Sequence, residues 1–239
     1  AVGQVDGVGL TGLGELNEIK YVGAGGSNNL LQDAAAHFSY FSSKINGDPT
    51  ALLEYTAGSL SLYASVTQPS HTYSEPCCFW PEADTLAFGA AYALDGYKLS
   101  IGYERWDGRS TEPMVGEVSI DNLVLGADAT FGAVSLKARY SEGGSEFQNF
   151  DHQNHQQMAV SATYTADALS LTAFASDITI VYDDRPITFY DREAYGLGVA
   201  YDLGGGAKIV GGYAHKIEKE FSQPRVSDNA FDLGLSFSF

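Results

Sequence analysis

Basic residues are scarce in this sequence, and so are cysteine, proline and methionine. The 239 residues include 13 Lys and Arg against 30 Asp and Glu, which gives a formal net charge of −17. This balance argues against nucleic-acid binding, which needs cationic side chains to neutralise phosphates. Cys, Met and Pro number 2, 2 and 7, whereas Gly, Tyr, Ser and Ala are abundant. Such a composition of β-formers and turn residues favours a β-sheet fold.

Long hydrophobic runs are also missing. No stretch approaches 18 consecutive apolar residues, so the sequence predicts no transmembrane helix. A membrane protein remains compatible with this absence, because the strands of a transmembrane barrel show only alternating hydrophobicity. No charged segment followed by an apolar one indicates a signal peptide. An exported protein with this sequence is therefore expected to be in its mature or trimmed form.

The strongest positive signal is a series of segments with period-2 alternation. We count eleven, and their lengths suit tilted strands of about 9–11 residues that cross a bilayer. The predicted strands are 50–57, 59–67, 85–94, 97–106, 117–131, 133–141, 157–166, 168–176, 192–202, 206–217 and 228–239.

The connections between these strands alternate between short and long. Short turns are predicted at Gly58, Asp95-Gly96, Gly132, near Asp167 and at 203–205. Long loops are predicted over 68–84, 107–116, 142–156, 177–191 and 218–227. Successive antiparallel hairpins then place all short turns at one end of the sheet, as in outer-membrane barrels. A soluble β-sandwich has no reason to sort its loops by length.

Aromatic residues are expected near the strand ends, where a membrane barrel carries its aromatic girdles. The twelve positions are Tyr55, Tyr92, Tyr97, Tyr103, Phe131, Tyr140, Tyr164, Tyr195, Tyr201, Tyr213, Phe231 and Phe239. A soluble barrel would also alternate, so a soluble ligand-binding β-barrel stays an alternative. A structural or partner-bound barrel without an open pore is a second alternative.

Residues 1–49 lack sustained alternation and are rich in Gly, with a possible short helix around 29–40. A long segment without strands is usually functional. Closed bacterial barrels have an even number of strands, so eleven strands predict at least one more before Ala1. The alternative is that one strand has escaped detection.

Several motifs resemble the general diffusion porins of Rhodobacter-type alphaproteobacteria. They are LGELNEIKY (13–21), PTALLEYTAGSLSLYASV (49–66), AFGAAYALDGYKLSIGYE (87–104), YGLGVAYDLGGGAKIVGGYA (195–214) and DLGLSFSF (232–239). The resemblance implies an all-β fold, a transmembrane antiparallel β-barrel of sixteen strands when complete, in homotrimers in the outer membrane. It identifies residues 1–49 as the loop that narrows the pore and 50–239 as the last eleven strands of one domain. The first five strands have no counterpart here.

The resemblance also implies the residues of the pore. Glu15 and Glu18 fall in the matching loop motif and are expected at the constriction, with Asp6 and Asp33 as less securely aligned candidates. These oxygen ligands could hold a calcium ion, although no cofactor is required. Phe239 is expected to help close the barrel and to be recognised during membrane insertion. Contacts with the lipid bilayer and lipopolysaccharide are expected as well.

A large barrel leaves a water-filled lumen, and selectivity then depends on its width and lining charges. The predicted wall residues are Lys98, Glu104, Asp121, Asp128, Lys137 and Arg139. Because acids outnumber bases, we expect a preference for cations among the small hydrophilic solutes that diffuse through.

Other motifs give weaker signals. Cys77 and Cys78 are expected in an external loop. The alternatives for this pair are a vicinal disulfide, a bridge to another chain, a metal site with His71 or no special role. His152 and His155 are more typical of polar surface than of metal ligands. No G-x-S-x-G, H-E-x-x-H or P-loop pattern occurs, so the sequence does not predict an enzyme.

Overall fold

A computed structural model of the chain describes residues 2–3, 50–67, 73–75, 78–80, 82–109, 116–148, 152–183 and 187–238. Fourteen β-strands account for most of these residues. None of the described residues belongs to a helix that is long and apolar enough to cross a membrane. The all-β prediction is confirmed, whereas the possible helix at 29–40 lies outside the described residues.

The strands vary from two to seventeen residues in length. Their bounds are β1 Val2–Gly3, β2 Thr50–Ala57, β3 Leu60–Thr67, β4 Tyr73–Glu75, β5 Cys78–Trp80, β6 Glu82–Leu94, β7 Tyr97–Arg109, β8 Glu117–Phe131, β9 Val134–Phe147, β10 Gln153–Ala166, β11 Leu169–Tyr182, β12 Thr188–Gly204, β13 Ala207–Glu220 and β14 Val226–Phe237.

Twelve strands form one sheet in the order β1-β2-β3-β6-β7-β8-β9-β10-β11-β12-β13-β14. Each neighbouring pair is antiparallel, as expected for successive hairpins. The eleven predicted strands are β2, β3 and β6–β14. The short β1 and the separate β4–β5 hairpin were not predicted. Within the described residues β14 pairs only with β13, so the sheet is not closed.

Five two-residue turns lie at one end of this sheet, which we call the short-turn end. They connect β2–β3, β6–β7, β8–β9, β10–β11 and β12–β13. Gly58, Gly96 and Gly132 have φ values of 60°, 75° and 57°, and Asp167 has 50°. Glycine adopts this left-handed region without a steric penalty, which suits it to tight turns. Four of the predicted turn positions are therefore confirmed, whereas the fifth turn is Gly205-Gly206 and lies slightly later than the predicted 203–205.

Four predicted long loops are shorter in the structure because the strands continue into them. The predicted loop 142–156, for example, begins only after Phe147 and ends before Gln153. Pairing continues without a shift from Leu123↔Glu142 to Val118↔Phe147. The loops predicted over 107–116, 177–191 and 218–227 are shortened in the same way. Backbone pairing therefore continues through residues whose side chains no longer alternate between apolar and polar.

The two faces of the sheet differ sharply in exposure. Along β7 the positions 100, 102, 104 and 106 are buried, while 99, 101, 103 and 105 are exposed. We call the face with the buried positions the inner face and the opposite one the outer face. Side chains alternate between the faces of a strand, so the register assigns every paired residue to one of them. Large apolar side chains lie mainly on the outer face, and Phe231 there is 78% exposed.

Candidate functional site

The outer face carries a continuous apolar band. On β8 the outer residues from Leu123 to Phe131 are all apolar. These eight steps span about 27 Å along the strand at about 3.3–3.4 Å per residue. A strand tilted by about 40° would cover about 20 Å perpendicular to the membrane, close to the apolar band of barrel proteins. The outer face therefore has the dimensions of a lipid-facing surface.

Aromatic residues border this band on both sides. Near the short-turn end the border contains Tyr97, Phe131, Tyr164 and Tyr201, and on the far side it contains Tyr103, Tyr140, Tyr195, Tyr213 and Phe231. The rings of Tyr97 and Phe131 pack edge to face with centroids 5.4 Å apart. The second set lies inside strands that are longer than predicted. Aromatic residues thus mark the limits of the apolar band, and only the first set also lies near strand ends.

Beyond the second aromatic border the outer face becomes polar. Arg105 Nε lies 2.9 Å from Asp107 Oδ2, and Arg225 Nη2 lies 3.0 Å from Glu193 Oε1. The hydroxyl of Tyr140 donates to Glu142 Oε2 over 2.7 Å. Exposed pairs of this kind contribute little to stability. They instead show where the outer surface changes from an apolar to an aqueous environment.

The inner face carries many polar residues although it is the buried one, next to small and apolar residues such as Ala87, Val118 and Phe174. Its buried polar residues are Ser65, Thr85, Ser100, Glu104, Asn122, Arg139, Ser141, Ser145, His155, Gln157 and Ser161. A soluble β-protein buries its apolar face and exposes its polar one. The chain has the opposite arrangement, which favours a membrane barrel with a polar interior over the soluble alternative.

Residues 2–220 match the sequence profile of a protein family described as Gram-negative porin. The chain belongs to the Gram-negative porin family. It is 33% identical over 201 residues to a porin of Rhodobacter capsulatus. This match covers 80% of this chain and 62% of that protein. The chain therefore spans less than two thirds of the length of that relative.

Solved structures agree with this assignment. A refined porin structure matches with a TM-score of 0.72 and 25% identity, covering 100% of this chain and 76% of the other. The outer membrane channel DcaP of Acinetobacter baumannii has the same fold, with a TM-score of 0.66 and 14% identity over 94% of this chain and 70% of its own. The resemblance found in the motifs is confirmed, and family membership locates this porin in the outer membrane.

Three of the predicted wall residues of the porin lie side by side on the inner face. Asp128 pairs with Lys98 across β7–β8 and with Lys137 across β8–β9. Arg139 lies two residues further along β9, and its Nη1 is 2.6 Å from Asp128 Oδ1. The structure thus brings Lys98, Asp128, Lys137 and Arg139 together. Their role in permeation stays a prediction.

Glu104 lies on the same face but further from the short turns. It is buried and pairs with Asn122 across β7–β8. His155 Nε2 lies 3.2 Å from Asn122 Oδ1, so this histidine belongs to the inner wall. The prediction of a surface position for His155 is therefore wrong, whereas His152 is exposed just before β10.

Asp121 does not lie on the inner face, and this prediction is wrong. It pairs with Arg105 and Gly144, both on the outer side of the sheet. The error has a physical cause in the sequence EVSIDN at 117–122. Here Val118 and Ile120 are buried on the inner face, while Ser119 and Asp121 lie on the polar part of the outer face. The rule that polar residues face the lumen fails beyond the apolar band.

A second charged group on the inner face was not predicted. The hydroxyl of Tyr190 donates to Glu218 Oε1 over 2.7 Å, and Lys216 Nζ lies 2.5 Å from Glu218 Oε2. Arg192 pairs directly with Glu218 across β12–β13, and Asp228 pairs with Lys216. Both faces of β12 are polar here, so alternation gave no signal. Only the backbone register assigns these residues to the wall.

Several predicted residues belong to other parts of the chain. Asp6, Glu15, Glu18, Asp33, His71, Cys77 and Phe239 lie outside the described residues. Cys78 begins β5, but its side chain is not described. Among the described residues no group of three or more His, Cys, Asp or Glu could hold a metal ion. Calcium binding at Glu15 and Glu18 and a disulfide between Cys77 and Cys78 therefore stay predictions.

Proposed function

We propose that this porin contributes the wall of a water-filled channel for passive diffusion of ions and small hydrophilic solutes across the outer membrane. The reversed arrangement of the two faces carries this proposal. An apolar outer face suits contact with lipid, and a charged inner face suits contact with water and polar solutes. A barrel of sixteen strands, which the family resemblance implies, would be wide enough to leave an aqueous channel lined by these charges.

Permeation in this proposal is diffusion down a gradient, without a chemical step. Lining charges change the concentration of each ion in the lumen and replace part of the hydration that a solute loses on entry. The inner face carries both signs, with Lys98, Lys137 and Arg192 as cations and Glu104, Asp128 and Glu218 as anions. A solute with separated charges or dipoles can therefore find compensating groups along the wall.

The cation preference is a further part of the proposal. It is supported by the net charge of −17. The predicted constriction residues Asp6, Glu15, Glu18 and Asp33 would strengthen it if they line the pore. We also propose a homotrimer, with lipopolysaccharide contacting the polar outer surface beyond the apolar band. Porins of this fold include a trimeric form of OmpT of Vibrio cholerae, and this supports the homotrimer only by analogy of fold.

The test is ion conductance in a planar bilayer. We expect stepwise current increases as purified protein inserts into a membrane between potassium chloride solutions. A salt gradient should then give a zero-current potential of the sign that corresponds to potassium preference. Folded, inserted protein that carries no current would contradict the channel and favour a structural barrel. A potential of the opposite sign would contradict only the cation preference.

A further inference from the structure

The inner face carries a compact group of basic residues close to the short-turn end. Lys98 is the second residue of β7, and Lys137 is the fourth residue of β9. Both pair directly with Asp128, so the three side chains occupy one row across three strands. Lys98 lies two residues after Gly96 and Asp128 lies four residues before Gly132, which corresponds to about 7 Å and about 13 Å along the strands. The group therefore lies inside the lumen near one mouth.

Arg139 belongs to the same group but is fixed to the wall. Its side chain is 2% exposed, and its Nη1 contacts Asp128 Oδ1 at 2.6 Å. The same nitrogen donates to the backbone carbonyl of Ala138 over 2.8 Å. Gly126 leaves the space for it, because a Cβ there would lie 3.3 Å from this nitrogen. Asp128 thus holds the guanidinium, while Lys98 and Lys137 are only half-buried.

Cations outnumber carboxylates in this part of the wall. Among the described inner-face residues of β6–β10 in the short-turn half, Asp128 is the only carboxylate. The neighbouring inner residues are small and neutral, with Ala93 beside Lys98 and Ser161 beside Lys137. The exposed carboxylates of Asp95 and Asp167 lie in the turns at the rim, beyond the strands. One carboxylate against three cations leaves a positive patch on the lumen wall.

We propose that Lys98 and Lys137, together with the fixed Arg139, form an anion-contact patch at the short-turn mouth. The patch would attract the carboxylate or phosphate groups of small organic anions, and Asp128 would limit its charge and hold Arg139 in place. This inference rests on the proposed channel function. It adds a second charged zone along the diffusion path, in series with the predicted constriction. This zone attracts anions, whereas the constriction is expected to favour cations.

The experiment compares anion and cation permeability in two double variants. Lys98→Gln with Lys137→Gln removes two positive charges from the inner face. Lys219→Gln with Arg225→Gln removes the same charge from exposed positions, and Arg225 contacts Glu193 on the outer face. Zero-current potentials are measured in gradients of potassium chloride and of potassium acetate, with acetate as the carboxylate probe. Asp128→Asn provides the converse change.

In 0.1 M salt we expect the inner-face variant to lower the anion-to-cation permeability ratio by about twofold, since the Debye length is about 10 Å. The effect should shrink strongly in 1 M salt, where that length is about 3 Å. Asp128→Asn should raise the ratio, and the outer-face control should leave it unchanged. An unchanged ratio in the conducting inner-face variant overturns the inference. Absence of current from the unaltered protein overturns the channel function instead.

Discussion

At the scale of single residues, orientation decides what a side chain does in this porin. Leu197 is 61% exposed on the outer face, whereas Ala200 on the same strand is half-buried on the inner face. Between them the strand carries Val199 on the outer face and Gly198 on the inner face. Two residues that are three positions apart therefore face different environments, an apolar one on the outer face and a polar one on the inner face.

Substitution of these two residues by lysine should have unequal effects. Leu197→Lys places an ammonium group in the apolar band and should destabilise the folded barrel by about 2–4 kcal/mol. Ala200→Lys places it on the polar face and should cost much less. Equilibrium unfolding by urea in lipid vesicles measures both. Equal destabilisation by the two variants would contradict the assignment of the faces.

At the scale of strands, alternation predicted the fold wherever one face meets lipid. Gly-containing turns and the apolar outer rows located all eleven main strands. The extensions at 142–147 and 188–191 were missed, because neither of their faces is consistently apolar and neither period nor hydrophobicity distinguishes them from loops. For the same reason the sequence pattern assigned Asp121 to the wrong face and did not indicate that Arg192 and Glu218 belong to the inner wall. Backbone pairing holds these segments, and sequence patterns do not record pairing partners.

The strand extensions make a prediction of their own. Ser141 to Ser145 of β9 pair with both β8 and β10, and Glu146 and Phe147 pair with β8. Their amides should exchange slowly with deuterium in detergent micelles, because exchange requires opening of these hydrogen bonds. The exposed turn after β13 at 221–223 lies at a strand end, and its described backbone hydrogen bonds are those donated by the Phe221 and Gln223 amides, so its peptides should exchange faster and serve as the comparison. Fast exchange across 141–147 would indicate that the predicted loop, and not the strand, is correct.

At the scale of the whole molecule, the exposed outer face determines solubility. Large apolar residues such as Phe231, Leu233 and Leu53 are more than 60% exposed on it. Contiguous apolar surface of this kind must be covered by lipid, detergent or another protein. The charged residues behind the net charge of −17 lie outside this apolar surface and do not shield it from water.

Removal of detergent should therefore precipitate the folded protein. Dilution below the critical micelle concentration should move it to the pellet in ultracentrifugation, because the apolar band is then in contact with water. The same dilution in the presence of phospholipid vesicles should leave it associated with the vesicles. Monodisperse protein in plain buffer would support the soluble ligand-binding barrel and contradict the membrane assignment.

The alternation of apolar and polar residues along the strands also affects the translocation of the chain before it folds. Insertion of a segment into the inner membrane requires about 20 mostly apolar residues in sequence. Here most inner-face residues, at every second position of a strand, are small, polar or charged, and the mean hydropathy of the chain is −0.11. The alternating strands themselves thus offer no segment for lateral release into the inner membrane. The lipid-facing surface forms only when the strands pair. Folding therefore determines which membrane the protein enters.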